Sequence, residues 1–242
     1  MKERLDKILV GKGLAESREK ARALIMEGKV FVNGMRISKA GTFLPLDTTI
    51  EIRGNLHPYV SRGGIKLQSA IESFNIDVSG KIAIDVGTST GGFTDCLLSF
   101  GAKKVYAVDV GYGQIAWRLR NDPRVIPIER TNIRYIDPSL IKDKIDIAVI
   151  DTSFISLEKV LPPVVNLVKN NGEMIALIKP QFEVGKGEVG KGGIVKEENK
   201  RRKVLEKIKE LAEKLILEVK GLIQSPITGR EGNIEYLIYL KK

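Results

Sequence analysis

Cysteine and histidine are nearly missing from this chain: Cys96 and His57 stand alone among 242 residues. A single cysteine excludes an internal disulfide and leaves no basis for a cysteine metal cluster. One histidine makes a histidine-built metal site untenable as well, so no metal is expected. Long apolar runs are also missing. The longest span only a few residues, far short of the ~20 needed to cross a bilayer. The charged start MKERLDKILVGKG lacks the unbroken apolar segment of a signal peptide. The expectation is a cytoplasmic protein with no membrane role. Cys96 and the lone tryptophan, Trp117, read as packing residues.

What is present is globular and basic. Hydrophobic residues make up 43% and charged residues 29%, and 40 Lys+Arg against 30 Asp+Glu give a net charge of +10. That balance favours a polyanionic partner, because each neutralised phosphate releases condensed counterions, but it also fits plain solubility. Placement sharpens the point. Residues 1–53 hold 11 Lys+Arg against 7 Asp+Glu. Leu5, Ile8 and Leu9 form one helical stripe; Ser17 then caps a second helix, REKARALIME, which Gly28 closes. Asn33-Gly34 between short alternating runs predicts a hairpin, and TTIEI a further strand, before a linker at residues 54–60 (GNLHPYV). Arg4, Lys7, Lys12, Arg18, Lys20 and Arg22 stud this small α+β head.

From residue 61 to 242 the pattern changes. KIAIDV, KVYAVDV, RVIPIE, IDIAVI and EMIALI read as continuously apolar, buried parallel strands separated by helical stretches. In EENKRRKVLEKIKELAEKL, Val204, Ile208, Leu211 and Leu215 form one stripe, as in a helix packed on a sheet. Two late strands, LEVKGLIQS and IEYLIYL, are joined by the turn SPITGREGN. The expected fold is α/β: a Rossmann-like, seven-stranded sheet of the methyltransferase type, closed by a hairpin in which parallel order reverses.

The stretch IDVGTSTGGFTD admits three readings. Gly87 to Gly91 matches the hydrolase nucleophile elbow, but that motif needs a histidine later in the chain and His57 comes earlier. Gly87 to Thr94 matches a phosphate loop except that Phe93 replaces its lysine, and Asp85 and Asp95 would repel phosphate. The glycines also miss the dinucleotide spacing. A strand–turn–helix junction remains, open to a ligand that approaches the backbone closely and brings no phosphate. S-adenosylmethionine suits it, with Asp109, 22 residues after Gly87, placed to accept bonds from ribose hydroxyls.

Two resemblances fit this reading. RLDKILVGKGLAESREKARALIMEGKVFVNGMRI resembles the S-four-type RNA-binding domain over roughly residues 3–50, which implies an RNA handle. DVGTSTGGFTD, VDVGYGQ, DTSFISL, IKPQFE and GNIEY, with YVSRGGIKL ahead of them, resemble the TlyA family. That family, often labelled haemolysin, joins such a head to an FtsJ-like RNA 2′-O-methyltransferase domain. The resemblance implies S-adenosylmethionine as cofactor and methylation of cytidine ribose in ribosomal RNA, within ribosomal subunits. It carries a Lys-Asp-Lys-Glu set onto Lys66, Asp151, Lys179 and Glu235, with Glu231 as the competitor for the last place. Lys179 is expected to be the base, Asp151 to orient it, and Lys66 and Glu235 to position the ribose. Asp85, Gly87, Ser89, Gly91, Gly92 and Phe93 should line the cofactor bed with Asp109 and Asp151. Asn132 could bond the adenine edge or cap a turn. Arg62 joins the head's basic residues as an RNA contact. PQFEVGKGEVGKGG, rich in glycine, reads as a substrate loop or a disordered one. The alternatives to an enzyme are a ribosome-assembly factor with a vestigial domain, or a membrane-lytic protein.

Overall fold

The computed structural model describes residues 2–26, 28–52, 58–185, 187–229 and 231–242. The first part of the expected linker, His57, and Lys186 of the glycine-rich stretch lie outside the described residues. The chain divides into two compact units, residues 1–56 and 57–242.

In the first unit, α1 (Leu5–Gly11) and α2 (Arg18–Met26) follow the expected stripes, and Leu5, Leu9, Ala21, Leu24 and Ile25 are buried together. Ser17 Oγ accepts the Lys20 amide at 3.1 Å, the expected cap. Asn33 and Gly34, at φ 48° and 79°, turn β2 (Val30–Val32) into β3 (Met35–Arg36), and β5 (Ile50–Ile52) pairs with the other side of β2. A second ribbon was not anticipated: β1 (Lys2–Arg4) pairs antiparallel with β4 (Phe43–Pro45). Three-residue strands give too short a run for periodicity to register.

The second unit is a seven-stranded sheet. Its strands are β6 (Ile82–Val86), β7 (Lys104–Val108), β8 (Val125–Ile128), β9 (Ile145–Ile150), β10 (Val168–Ile178), β11 (Glu218–Gln224) and β12 (Tyr236–Lys241), in the order β11-β12-β10-β9-β6-β7-β8. Only β12 runs against its neighbours β10 and β11, so the order reverses at the hairpin, as expected. Strand parity sorts the core into two layers. Ile84, Val86, Val108, Ala148 and Ile150 face one cluster, which includes Val160 and Leu161 of α6 (Leu157–Leu167) and Val204 and Ile208 of α8 (Glu198–Lys214). Ala83, Val105, Ala107, Ile147 and Val149 face the other, with Leu67 and Ala70 of α3 (Gly63–Phe74) and Leu97 of α4 (Gly92–Ser99). Both faces are covered, which is why the strands read as unbroken apolar runs. Ala212, rather than Leu211 or Leu215, completes the buried stripe of α8.

Candidate active site

Strand ends build the site. The residues that follow β6, β7, β9 and β10 emerge at one edge of the sheet, where wound folds gather ligands. After β6 the Gly87 and Thr88 amides both donate to Val108 O, at 2.9 and 3.2 Å, which ties the loop to β7. Gly87 sits at φ +87°, and a Cβ there would lie 2.5 Å from Asp151 O. Only glycine lets the loop pass this close to the end of β9. Ser89, at φ +50°, donates its amide to Asp109 Oδ2 at 2.7 Å, and Gly111 donates to Oδ1 at 2.7 Å. Asp109 thus fastens two loops together. A shallow cleft lined by Thr88, Ser89, Asp109, Gln114, Ile115 and Glu129 lies between them.

Beneath the loop, Asp85 is fully buried. Its Oδ2 accepts the Thr94 amide at 2.9 Å and the Thr94 hydroxyl at 2.7 Å, while Oδ1 has no hydrogen-bond partner. Burial pushes this carboxyl up to about 7; nearby Asp151 and Asp109 push the same way and the Thr94 bonds oppose them. A buried, under-partnered acid beside two further acids suits a cationic ligand group and repels phosphate.

The four residues of the Lys-Asp-Lys-Glu set form two ion pairs. Lys66, on the buried side of α3, meets Glu235 just before β12: Nζ to Oε2 is 2.5 Å, with both side chains almost wholly buried. Lys179, directly after β10, lies 2.6 Å from Asp151 Oδ1, directly after β9. Lys179 also donates to Ser153 Oγ at 3.0 Å. The 2.6 Å approach is an ion pair without hydrogen-bond angles, so Asp151 Oδ1 keeps no aligned donor. Register joins the two pairs: Ile178 faces Tyr236 across β10 and β12, so the next residues outward are Lys179 and Glu235. Glu231, by contrast, is exposed in the turn.

Some expected residues serve elsewhere. Phe93 is buried in the layer containing α3, and a Cβ on Gly63 would lie 3.5 Å from its ring, so it packs the core and does not face the cleft. Asn132 Oδ1 accepts the Arg134 amide at 3.1 Å and is absent from the cleft lining; of its two open roles, the turn cap is the one observed. In the head, Arg4, Arg18 and Arg22 converge on the buried carboxylate of Asp6, at 2.9, 3.2 and 3.2 Å. Hydrogen bonds from Arg4 foremost hold the Asp6 carboxyl well below the usual carboxylate range. Lys12 donates to Thr48 O at 2.7 Å and Lys7 pairs with Glu3 at 3.5 Å. Lys20 is half-buried, and Arg62 is exposed immediately ahead of α3. Among the described residues no cluster of metal-ligand side chains occurs, and no helix is long and apolar enough to cross a membrane.

Several residues at the site were not singled out beforehand. Phe154 is 90% exposed at φ +62° and packs against Phe182 at 5.1 Å between ring centroids. The Phe182 ring lies 5.8 Å from Lys179 Nζ. An exposed aromatic in a sparsely populated backbone state is costly to hold, which makes Phe154 a candidate site residue. Both stand inside the motifs DTSFISL and IKPQFE, three residues beyond Asp151 and Lys179, and that proximity was the available signal. Gln114 carried the same signal, as the last residue of the motif VDVGYGQ; Glu129 carried only its place at the end of an apolar strand, because the two meet only in the folded sheet.

A seven-stranded sheet with one reversed strand, a glycine turn after its first strand and acids at successive strand ends define a domain of the methyltransferase type. The chain belongs to the FtsJ-like methyltransferase family, whose model matches residues 59–242, and the S4 domain model matches residues 3–50. It is 49% identical over 240 residues to YqxC of Bacillus subtilis strain 168, provisionally named an rRNA methyltransferase, covering 99% of this chain and 85% of that one. It is 44% identical over 239 residues to the 16S/23S rRNA (cytidine-2'-O)-methyltransferase TlyA of Mycobacterium tuberculosis, covering 98% and 89%. A solved structure from Streptococcus thermophilus, provisionally named a hemolysin, shares 45% identity with a TM-score of 0.79 over 100% of this chain and 88% of that one.

Proposed function

We propose that this protein transfers a methyl group from S-adenosylmethionine to the 2′-oxygen of cytidine ribose in ribosomal RNA. The observation that carries the reading is the arrival of Lys66–Glu235 and Asp151–Lys179 at one sheet edge, beside the Gly87 turn. The cofactor's residues fit. Asp85 Oδ1 and the acids around it would hold its cationic groups, Asp109 retains lone pairs for ribose hydroxyls, and the Gly87 loop leaves room against the backbone. When bound, S-adenosylmethionine supplies an electrophilic sulfonium methyl.

This chain's residues do the rest. With its Nζ unprotonated, Lys179 would accept the proton of the ribose hydroxyl as the oxygen–carbon bond forms and the methyl's bond to sulfur breaks. Asp151 and Ser153 fix the position of its Nζ. The Lys66–Glu235 pair presents a donor and an acceptor to the sugar. Phe154 offers an aromatic face on which an unpaired base can stack. The head, as a domain of residues 1–53, holds folded RNA through the arginines set around Asp6 and works in the cytoplasm, where ribosomes assemble.

The test is transfer of labelled methyl to ribosomal subunits, with the product nucleotide mapped. Lys179→Ala should lower kcat by roughly 10²–10⁴-fold with cofactor affinity within a few-fold of wild type. Near-normal transfer by that variant would refute the base assignment, and cofactor binding with no transfer to any subunit would indicate a passive assembly factor.

A further inference from the structure

The segments that carry Asp151 and Lys179 meet side chain by side chain as they leave the sheet. Lys179 takes Asp151 and Ser153, and Phe182 takes Phe154. One residue further, Glu183 reaches back across the same gap. Its Oε2 accepts the Ser156 hydroxyl at 2.6 Å and its Oε1 accepts the Leu157 amide at 2.8 Å. Glu183 is only 7% exposed. The turn that bears it, α7 (Pro180–Glu183), is closed on Lys179 itself: the Phe182 amide donates to Lys179 O at 2.9 Å.

A buried carboxylate is costly unless its bonds compensate, and capping alone does not require this one. Ser156 already caps α6 by accepting the Glu158 amide at 3.1 Å. What Glu183 adds is a bond between segments: it fixes the end of the 151–157 loop to the end of the 179–183 turn. Both oxygens face donors, so the carboxylate is an acceptor at both ends. With the sheet holding one end of each segment and Glu183 the other, Lys179 and Phe182 have little freedom to slide past Asp151 and Phe154.

We propose that Glu183 is a positioning residue for methyl transfer: a carboxylate clamp that keeps Lys179 in register with Asp151 and Phe182 in register with Phe154. The proposal rests on the reading that Lys179 and Asp151 act on the ribose. It does not concern the cofactor cleft, which is built on β6, β7 and β8. A displacement of about an ångström at a reacting group costs on the order of 100-fold in rate.

The experiment uses full-length Glu183→Ala, Glu183→Asp and Glu183→Gln in single-turnover methylation of ribosomal subunits, with cofactor Kd measured on each. Glu183→Ala should lower kcat roughly 10- to 100-fold with cofactor Kd within about threefold of wild type. Glu183→Gln should recover most of the rate, because its carbonyl can accept from Leu157 and its amide can donate to Ser156 Oγ. Glu183→Asp, one methylene too short to span both partners, should resemble Ala, and it replaces Ala as the informative variant if Ala does not fold. The same changes are then placed in a Lys179→Ala background. There, Glu183→Ala should cost less than about twofold, because a residue acting through Lys179 has nothing left to position. Wild-type kcat in both Ala and Asp, or an equal loss with and without Lys179, would overturn the clamp. High activity of Lys179→Ala alone would instead overturn the reading of the site, so the two failures are told apart.

Discussion

Asp85 shows how much a single side chain can settle. A carboxyl raised from the ordinary range near 3.8 to about 7 is one whose charged form the fold disfavours. Its contribution to stability is therefore complete below about pH 4 and is lost as pH rises through 7. Without ligand, the melting temperature of the second unit should fall as pH rises from about 4 to 7, by an amount worth on the order of 4 kcal/mol. Asp85→Asn should flatten that fall, and calorimetry across the range checks it; an unchanged slope would place the effect elsewhere. If the orphaned Oδ1 meets a cationic ligand group, cofactor affinity should rise over the same interval in wild type and not in Asp85→Asn. Gly87 and Phe93 make the complementary point. One is required by a carbonyl 2.5 Å from where its Cβ would be, and the other by packing against α3. Neither needs ligand contact to explain it.

Among the elements, the two helices of the head depend on a charge that the sequence pattern did not single out. Asp6 is fully buried in α1, and arginines from the start of α1 and from α2 close over it. A depressed carboxyl contributes stability above its unfolded value and loses it as pH falls, so the head should weaken toward strongly acidic pH. Asp6→Ala would leave three guanidinium groups facing one another, and should destabilise the head by about 1–3 kcal/mol while leaving the second unit's transition in place. Denaturation followed on each unit separates the two. Helix α3 was the main element not anticipated, since SRGGIKL begins with glycines that suppress the helical pattern. Gly64 is a packing requirement: a Cβ there would collide with the Tyr59 ring. Because α3 was not foreseen, the burial of Lys66 was not foreseen either.

The whole molecule is a basic chain, net +10, and the side chains of Arg18 and Arg22 beside Asp6 are about half-exposed. Binding to ribosomal RNA should weaken with salt, and each arginine that contacts a phosphate should remove roughly one from the slope of log K against log salt when replaced by alanine. Arg18→Ala and Arg22→Ala are the informative variants. A slope equal to wild type in both would mean that these guanidinium groups serve Asp6 alone. Cofactor affinity should not change in either, because the cleft lies in the other unit.

By itself the sequence determined the strands of the sheet domain and its strand reversal, though not helix α3. Continuous apolar strands flanked by amphipathic helices have few other solutions, and the late hairpin must pair back onto the sheet. Spacing and resemblance also placed Asp151 and Lys179 at strand ends, because both directly follow apolar runs. Pairing was decided only in three dimensions. That Lys66 meets Glu235 across 169 positions follows from α3 packing on the face of the sheet that includes β12, and no local pattern encodes it. The engagement of Asn132 in a turn, of Phe93 in the core and of Glu183 between two loops was settled in the same way. Each of these side chains had more than one partner within chemical reason, and burial, which is a property of the whole fold, selected one.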